Sequence, residues 1–299
     1  MRYSYYPGCS LHSTASEYDL STRAVMEALG VELVELSDWN CCGASSGHAS
    51  SHFLTYALPL RNLILAEKQA AGDLLVPCAA CYNLLKTADY KMASRDGEAE
   101  SLNSEMQTIM GRRYEGRVQV RHVLEVLALP EIRRKIAAGV TRPLSGLKVA
   151  AYYGCLLSRP PQVVAFEDNP EQPTTMDAVL RLAGAEPVPW WGKTDCCGAS
   201  LAISQPGLVE TMVGRIVSAA SYAGATALVT ACPLCQSNLD TRQAPGQEMM
   251  PVFFITELLG LALGLAGSDK WLRRHMCDTQ PVLAGVGGSL TAAHGKAGM

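Results

Sequence analysis

Charge is scarce in this 299-residue sequence: Asp, Glu, Lys and Arg make up 18%, the net charge is −3, and Lys and Arg are scattered. Without a basic stripe to neutralise a phosphate backbone, nucleic acid is excluded as an expected partner. A nucleotide-binding glycine fingerprint is also missing. GVGG at residues 285–288 lies in a small-residue tail without the third glycine, so it reads as a flexible end and no flavin or nicotinamide site is expected. Nor is there a long apolar run. PVFFITELLGLALGLAG, residues 251–267, falls short of the ~20 residues that span hydrocarbon and carries Glu257, so it reads as a buried helix or one that docks on a partner. The first residues, MRYSYYPGCS, reach a Pro-Gly turn without the apolar core of a secretory signal, and the expected location is the cytoplasm. Hydrophobic residues reach 48%, enough for a compact core and too many for a disordered chain.

What the sequence has in excess is cysteine, eleven in all. Disulfide scaffolds are short secreted domains that cannot build a core, whereas this chain can build one or two. Its thiols are better explained as metal ligands.

The chain also matches itself. YYPGCSLHS (5–13), NCCGAS (40–45), LLVPCAACYNLL (74–85) and VRHVLEVLAL (120–129) are answered by YYGCLLS (152–158), DCCGAS (195–200), ALVTACPLCQSNL (227–239) and FFITELLGLAL (253–263). Cys41, Cys78 and Cys81 map to Cys196, Cys232 and Cys235 with offsets of 155, 154 and 154, and Glu125 maps to Glu257 with an offset of 132. The first half therefore holds about 22 extra residues, expected within the polar segment 94–117. The Pro- and Gly-bearing stretch 141–146 marks the boundary, giving domains 1–145 and 146–299.

Each half reads as strand, helix, strand, helix, strand, helix. Strands are expected near 3–6, 31–36 and 73–76, and again near 149–153, 186–190 and 227–230. Gly30 and Gly184 sit where left-handed caps end the first helices, and Pro59 and Pro206 interrupt the long ones. The expected fold is α/β: two homologous repeats, each a small parallel sheet flanked by helices, related by pseudo-two-fold symmetry. The cysteines of each half follow the C-terminal ends of strands, the edge where such sheets place their ligands.

The first set is Cys9, Cys41, Cys42, Cys78 and Cys81; the second is Cys155, Cys196, Cys197, Cys232 and Cys235. A lone CxxC suits zinc, a redox disulfide or a cluster, but five cysteines recurring in one order carry far more weight. Free cysteines are often plain core residues, yet chance burial gives no reason for the recurrence. Zinc is satisfied by four ligands, and five leave a thiol over in each half. Five thiolates allow either a cubane with a spare reactive thiol or an open cluster with a bridging thiolate.

With both motifs complete, the sequence resembles the B-type subunit of heterodisulfide reductase and its relatives, the proteins with duplicated cysteine-rich CCG domains, over nearly the whole chain. The resemblance implies two non-cubane [4Fe–4S] clusters, each held by one five-cysteine set. It implies two-electron disulfide/thiol chemistry between them, either reducing a methanogen-type heterodisulfide or serving bacterial sulfur oxidation. It also implies two partners, a ferredoxin-like iron–sulfur subunit of the C type and a flavin-containing subunit of the A type. The competing reading is a non-catalytic relay or scaffold subunit of a flavoprotein dehydrogenase complex, with clusters or zinc.

Three further residues are catalytic candidates. His12 and His48 lie three and six residues beyond Cys9 and Cys42 but answer to Ser158 and Ile203, so they could donate a proton in one half only or be plain surface residues. Lys193 could attract an anionic substrate or simply be solvated. Trp39, Trp190 and Trp191 precede the Cys pairs and are expected to shield them from water. Cys277 has no counterpart and reads as a spare thiol.

Overall fold

The computed structural model describes residues 1–44, 47–244 and 249–286, with backbone alone at residues 48 and 49. The side chain of His48 and nearly all of the expected tail lie outside the described residues.

Strands form where short β-branched and aromatic runs are bounded by turns, and every one pairs in parallel. The first sheet has the order β2-β1-β3-β4, from β1 (Arg2–Tyr5), β2 (Glu32–Glu35), β3 (Leu74–Val76) and β4 (Val120–His122). The second repeats it as β6-β5-β7-β8, from β5 (Lys148–Tyr152), β6 (Glu186–Pro187), β7 (Ala227–Thr230) and β8 (Val252–Phe254). Their registers agree: Val76 pairs with His122, and Thr230 with Phe254. Helices join the strands, as parallel pairing requires. Gly30 and Gly184 follow the helices Ser16–Ala28 and Thr175–Leu182 with φ of +70° and +86°, in the region only glycine enters freely.

Three details differ from the sequence reading. Each sheet has a fourth strand, because a continuous apolar run shows no period that separates a three-residue strand from the helix it enters. Residues 251–267 are thus not one helix: β8 leads into Ile255–Ala262, and the Glu257 carboxylate accepts from the Phe254 N–H at 2.9 Å to start that helix. Every residue of Ile255–Ala262 is buried within this chain, so the segment is core and not a face awaiting a partner. Pro59 lies inside His52–Gln69 without ending it, while Pro206 opens Pro206–Tyr222 at the first helical position, where its missing N–H costs nothing. In the segment 94–117, helix Gly97–Met110 is capped by Asp96, whose carboxylate accepts from the Ala99 N–H at 2.8 Å.

The halves interlock. Tyr18 stacks on Phe254 at 4.0 Å, and Ser21 hydrogen-bonds Thr256 at 2.7 Å. Asn83 donates to the Leu156 and Arg159 carbonyls, and Tyr82 to that of Val164. Buried polar groups that span both repeats oblige them to pack in one arrangement, since an unmade partner there costs about 1–3 kcal/mol.

Candidate metal centre

Parallel strands deliver all ten cysteines to one region. Cys9 and Cys155 follow β1 and β5, while Cys78 and Cys232 follow β3 and β7 and sit at the N-terminal caps of Ala79–Ala93 and Pro233–Thr241. At Cys232 the free N–H groups of Cys235 and Leu234 in that first turn favour thiolate. The Cys-Cys pairs occupy the turns after β2 and β6.

Those turns are fixed by residues that the repeat makes equivalent. Tyr6 donates to the Asn40 carbonyl at 2.8 Å and Tyr152 to that of Asp195 at 2.6 Å, each from beneath the loop that carries the pair. In the first half Asn62 completes the clamp, accepting from the Asn40 N–H at 3.0 Å and donating to its carbonyl at 2.9 Å. In the second, Asn238 donates to the Cys197 carbonyl at 2.9 Å.

The sulfurs form a line. Cys9 and Cys41 stand 4.0 Å apart and Cys42 and Cys81 3.2 Å, while Cys41 adjoins Cys42 and Cys81 adjoins Cys78. The Cys78 thiol then adjoins that of Cys232 across the boundary between the repeats. From there the line continues to Cys235 and to Cys197, 3.6 Å further on, and Cys155 adjoins Cys196. Among the described residues, no three His, Cys, Asp or Glu side chains close around one point as the ligands of a single ion would.

Shared protons divide the thiols. The neighbouring Cys41 and Cys81 thiols outweigh the opposing effect of burial and hold Cys42 at about 4. Cys196, lowered chiefly by the neighbouring Cys155 thiol, is held at about 6. Cys232 is lowered by Cys235 and Cys78, while Cys41, Cys78, Cys81, Cys155 and Cys235 are all raised by their thiol neighbours and by burial. Five thiols gathered in one run at the strand ends of each half suit a soft, thiolate-bound group larger than a single ion.

Glycine makes room for the sulfurs. Gly8 and Gly154 have φ of +73° and +69°, and a Cβ on either would stand 3.0 Å from Cys81 Sγ or Cys235 Sγ. Gly154→Ala is expected to destabilise the chain by about 1–2 kcal/mol through the left-handed backbone alone. Gly146, with φ +85° and open space around its Cβ position, isolates that backbone component. The expected result is a lower denaturation midpoint for Gly154→Ala than for Gly146→Ala, and equal midpoints would rule out the crowding.

The other candidates fall out differently. His12 is half exposed, paired with Glu35 at 3.2 Å and edge-on to Trp39 at 5.1 Å. Lys193 is neither solvated nor turned to the sulfurs: it is buried, donating to Asp177 at 2.8 and 2.9 Å and to the Pro173 carbonyl at 2.8 Å. That carboxylate cancels its charge and explains how a lysine can be buried. Trp39 packs edge-on to Tyr6, and Trp190 is buried, donating to the Ala151 carbonyl at 3.0 Å. Trp191 is 65% exposed and shields nothing. Cys277 is buried against the Asp240 carbonyl at 3.3 Å, with burial and Asp240 pushing its thiol up. Tyr6, Tyr152, Asn62, Asn83 and His122 escaped the sequence reading. The YY pair before each first cysteine is the signal that could have found the tyrosines.

The CCG cysteine-rich domain family matches residues 3–86 and 149–240. The 8-methylmenaquinol:fumarate reductase membrane anchor subunit of Wolinella succinogenes is 33% identical over 284 residues, covering 92% of this chain and 97% of its own. The B-type subunit of the ferredoxin:CoB-CoM heterodisulfide reductase of Methanosarcina mazei is 28% identical over 93% of this chain and 95% of its own. A protein of Archaeoglobus profundus described as like the B-type heterodisulfide reductase subunit is 28% identical over 88% and 91%. A hypothetical protein from Helicobacter pylori shares the fold, with a TM-score of 0.70 and 12% identity over 91% of this chain, which spans 51% of that structure. Among the described residues, no helix is long and apolar enough to cross a membrane.

Proposed function

This chain belongs to the family of duplicated CCG cysteine-rich domain proteins that includes the B-type subunit of heterodisulfide reductase, and from that premise we propose that it is the catalytic iron–sulfur subunit of a heterodisulfide-reductase-like complex. Cys9, Cys41, Cys42, Cys78 and Cys81 would hold one [4Fe–4S] group in domain 1–145, and Cys155, Cys196, Cys197, Cys232 and Cys235 a second in domain 146–299. Bound there, each group would supply one electron and an iron able to take a thiolate, so a pair matches the two electrons that split a disulfide. Five thiols per group point to the non-cubane type. The observation that carries the reading is that the backbones entering the two CxxC turns meet: one ring nitrogen of His122 lies 3.0 Å from the Pro77 carbonyl and 3.2 Å from that of Ala231, so the two sets adjoin closely enough to face one small disulfide or thiol.

The chain's own residues hold that arrangement. Tyr6 and Tyr152 seat the Cys-Cys turns, and Asn83 ties the first repeat's CxxC helix to the Cys155 loop of the second. His12, at the exposed edge of the first set, is a candidate proton donor to a departing thiolate, whereas Lys193 is withdrawn from that role by Asp177. Electrons would arrive from a ferredoxin-like subunit and a flavin-containing one, in a reducing cytoplasm that keeps the thiols free.

The test is electron paramagnetic resonance (EPR) on the anaerobically purified chain, with and without saturating small symmetric and mixed disulfides. Altered signals are expected, and unchanged spectra would remove the catalytic role. A second reading draws on the Wolinella relative, a fumarate reductase subunit: an electron relay or scaffold beside a flavoprotein dehydrogenase, with clusters or zinc. Signals that respond to a reduced flavoprotein and to no thiol or disulfide would favour it.

A further inference from the structure

His122 ends β4 in the centre of the molecule, wholly buried. Its Nε2 lies 3.0 Å from the Pro77 carbonyl and 3.2 Å from the Ala231 carbonyl. Pro77 immediately precedes Cys78, and Ala231 immediately precedes Cys232. Carbonyl oxygens only accept, so Nε2 must carry the proton and donate to both. Nδ1 accepts from the Leu124 N–H at 3.3 Å, which fixes the same tautomer from the other side of the ring. One N–H therefore holds the backbone entering the CxxC of each repeat.

The arrangement breaks the pseudo-symmetry at this point. The equivalent of His122 is Phe254, which likewise ends its strand and has its N–H accepted by the aligned glutamate, at 2.9 Å against 2.8 Å for His122. The ring of Phe254 has no donor and stacks on Tyr18, whose hydroxyl donates to the Pro77 carbonyl at 3.1 Å. The ring of His122 is itself held by Tyr82, edge-on at 5.4 Å, and by Phe166, stacked at 6.4 Å. A buried donor hemmed in by these two rings cannot swing away without leaving the Ala231 carbonyl unpaired in the core.

We infer that His122 is a positioning residue that sets the separation of the two five-cysteine sites by gripping the carbonyls before Cys78 and Cys232. The inference rests on the reading that those cysteines hold metal groups, and it assigns the spacing between the sites to one side chain. Phenylalanine at 122 is the informative substitution, since the second repeat already carries it at the equivalent place.

The experiment compares the anaerobically purified full chain with His122→Phe and His122→Gln. The readouts are iron per chain, the magnetic interaction between the two centres by EPR, and the midpoint potential of each. In His122→Phe the interaction is expected to weaken and the potentials to shift with both sites still loaded, while His122→Gln, which keeps an N–H donor, moves both back toward wild type. An interaction and potentials in His122→Phe identical to wild type would overturn the inference. If His122→Phe does not fold, His122→Asn replaces it, whose donor is too short to reach both carbonyls, with the same two outcomes.

If the wild-type chain holds no iron, the failure lies with the reading of the site, and His122 is judged separately on the same proteins. Diamide then takes two electrons and two protons from a thiol pair, and peptide mass spectrometry compares the Cys78–Cys232 product with the Cys42–Cys81 product. That ratio is expected to fall about tenfold in the variant, the scale of losing one buried hydrogen bond. An unchanged ratio overturns the inference.

Discussion

Cys42→Ala is expected to strip about half the iron from the chain, about four of eight atoms if each set holds a four-iron group, and to leave the signals of the second repeat intact. Cys42 is buried with its sulfur 3.2 Å from that of Cys81, so no other thiol of its set can take its place without moving the turn that Tyr6 and Asn62 hold. Cys78→Ala should reach further. Its thiol touches Cys232, so loss of the first site is expected together with a perturbed second one. Disulfide turnover should fall in both variants by more than the ~10–100-fold that accompanies loss of an outer-shell partner. Cys277→Ala, buried far along the chain against Asp240, is the control and should change neither iron nor turnover. Iron analysis with spectroscopy on the three variants checks the set, and a Cys42→Ala chain with full iron would remove Cys42 from it.

Glu257→Leu is expected to cost about 3–5 kcal/mol of stability, the usual result of removing one partner of a buried ion pair. His275 Nε2 lies 3.0 Å from Glu257 Oε1, and both side chains are essentially inaccessible to solvent. The same carboxylate starts helix Ile255–Ala262 at the Phe254 N–H, so its loss unpairs two donors at once. Burial opposes the charge on His275, but the hydrogen bond and charge of Glu257 outweigh it and hold the imidazolium above the ordinary histidine value. A raised folded value means the pair's contribution is complete below the unfolded value of about 6.5 and is lost as pH rises through the folded one. Denaturation midpoints across that window should therefore decline in wild type and flatten in His275→Gln. Equal pH slopes in the two proteins would show that the pair contributes nothing.

Much of this was legible in the residues because ligand chemistry leaves few alternatives. The cysteines recur in register, and their places after strands follow from βα alternation, so their gathering at one edge could be read before any coordinates. Gly30 and Gly184 announced the helix ends for the same reason: only glycine enters that backbone region without strain. The strands β4 and β8 were hidden because three-residue strands feeding apolar helices have no period of their own. Lys193 was misread because its partner Asp177 lies sixteen residues back, and burial of a charge is set by the fold, not by composition. His122 was missed for a stronger reason. Its two acceptors are backbone carbonyls 45 and 109 residues away, and a carbonyl carries no trace in a sequence. Its one visible mark was the mismatch with Phe254 in an otherwise close repeat.

Metal and acid-labile sulfide analysis of the full chain, purified without oxygen, bears most directly on the ten thiols. About eight iron atoms per chain, with sulfide in comparable amount, is the predicted result. Zinc in place of iron, with no labile sulfide, would contradict it.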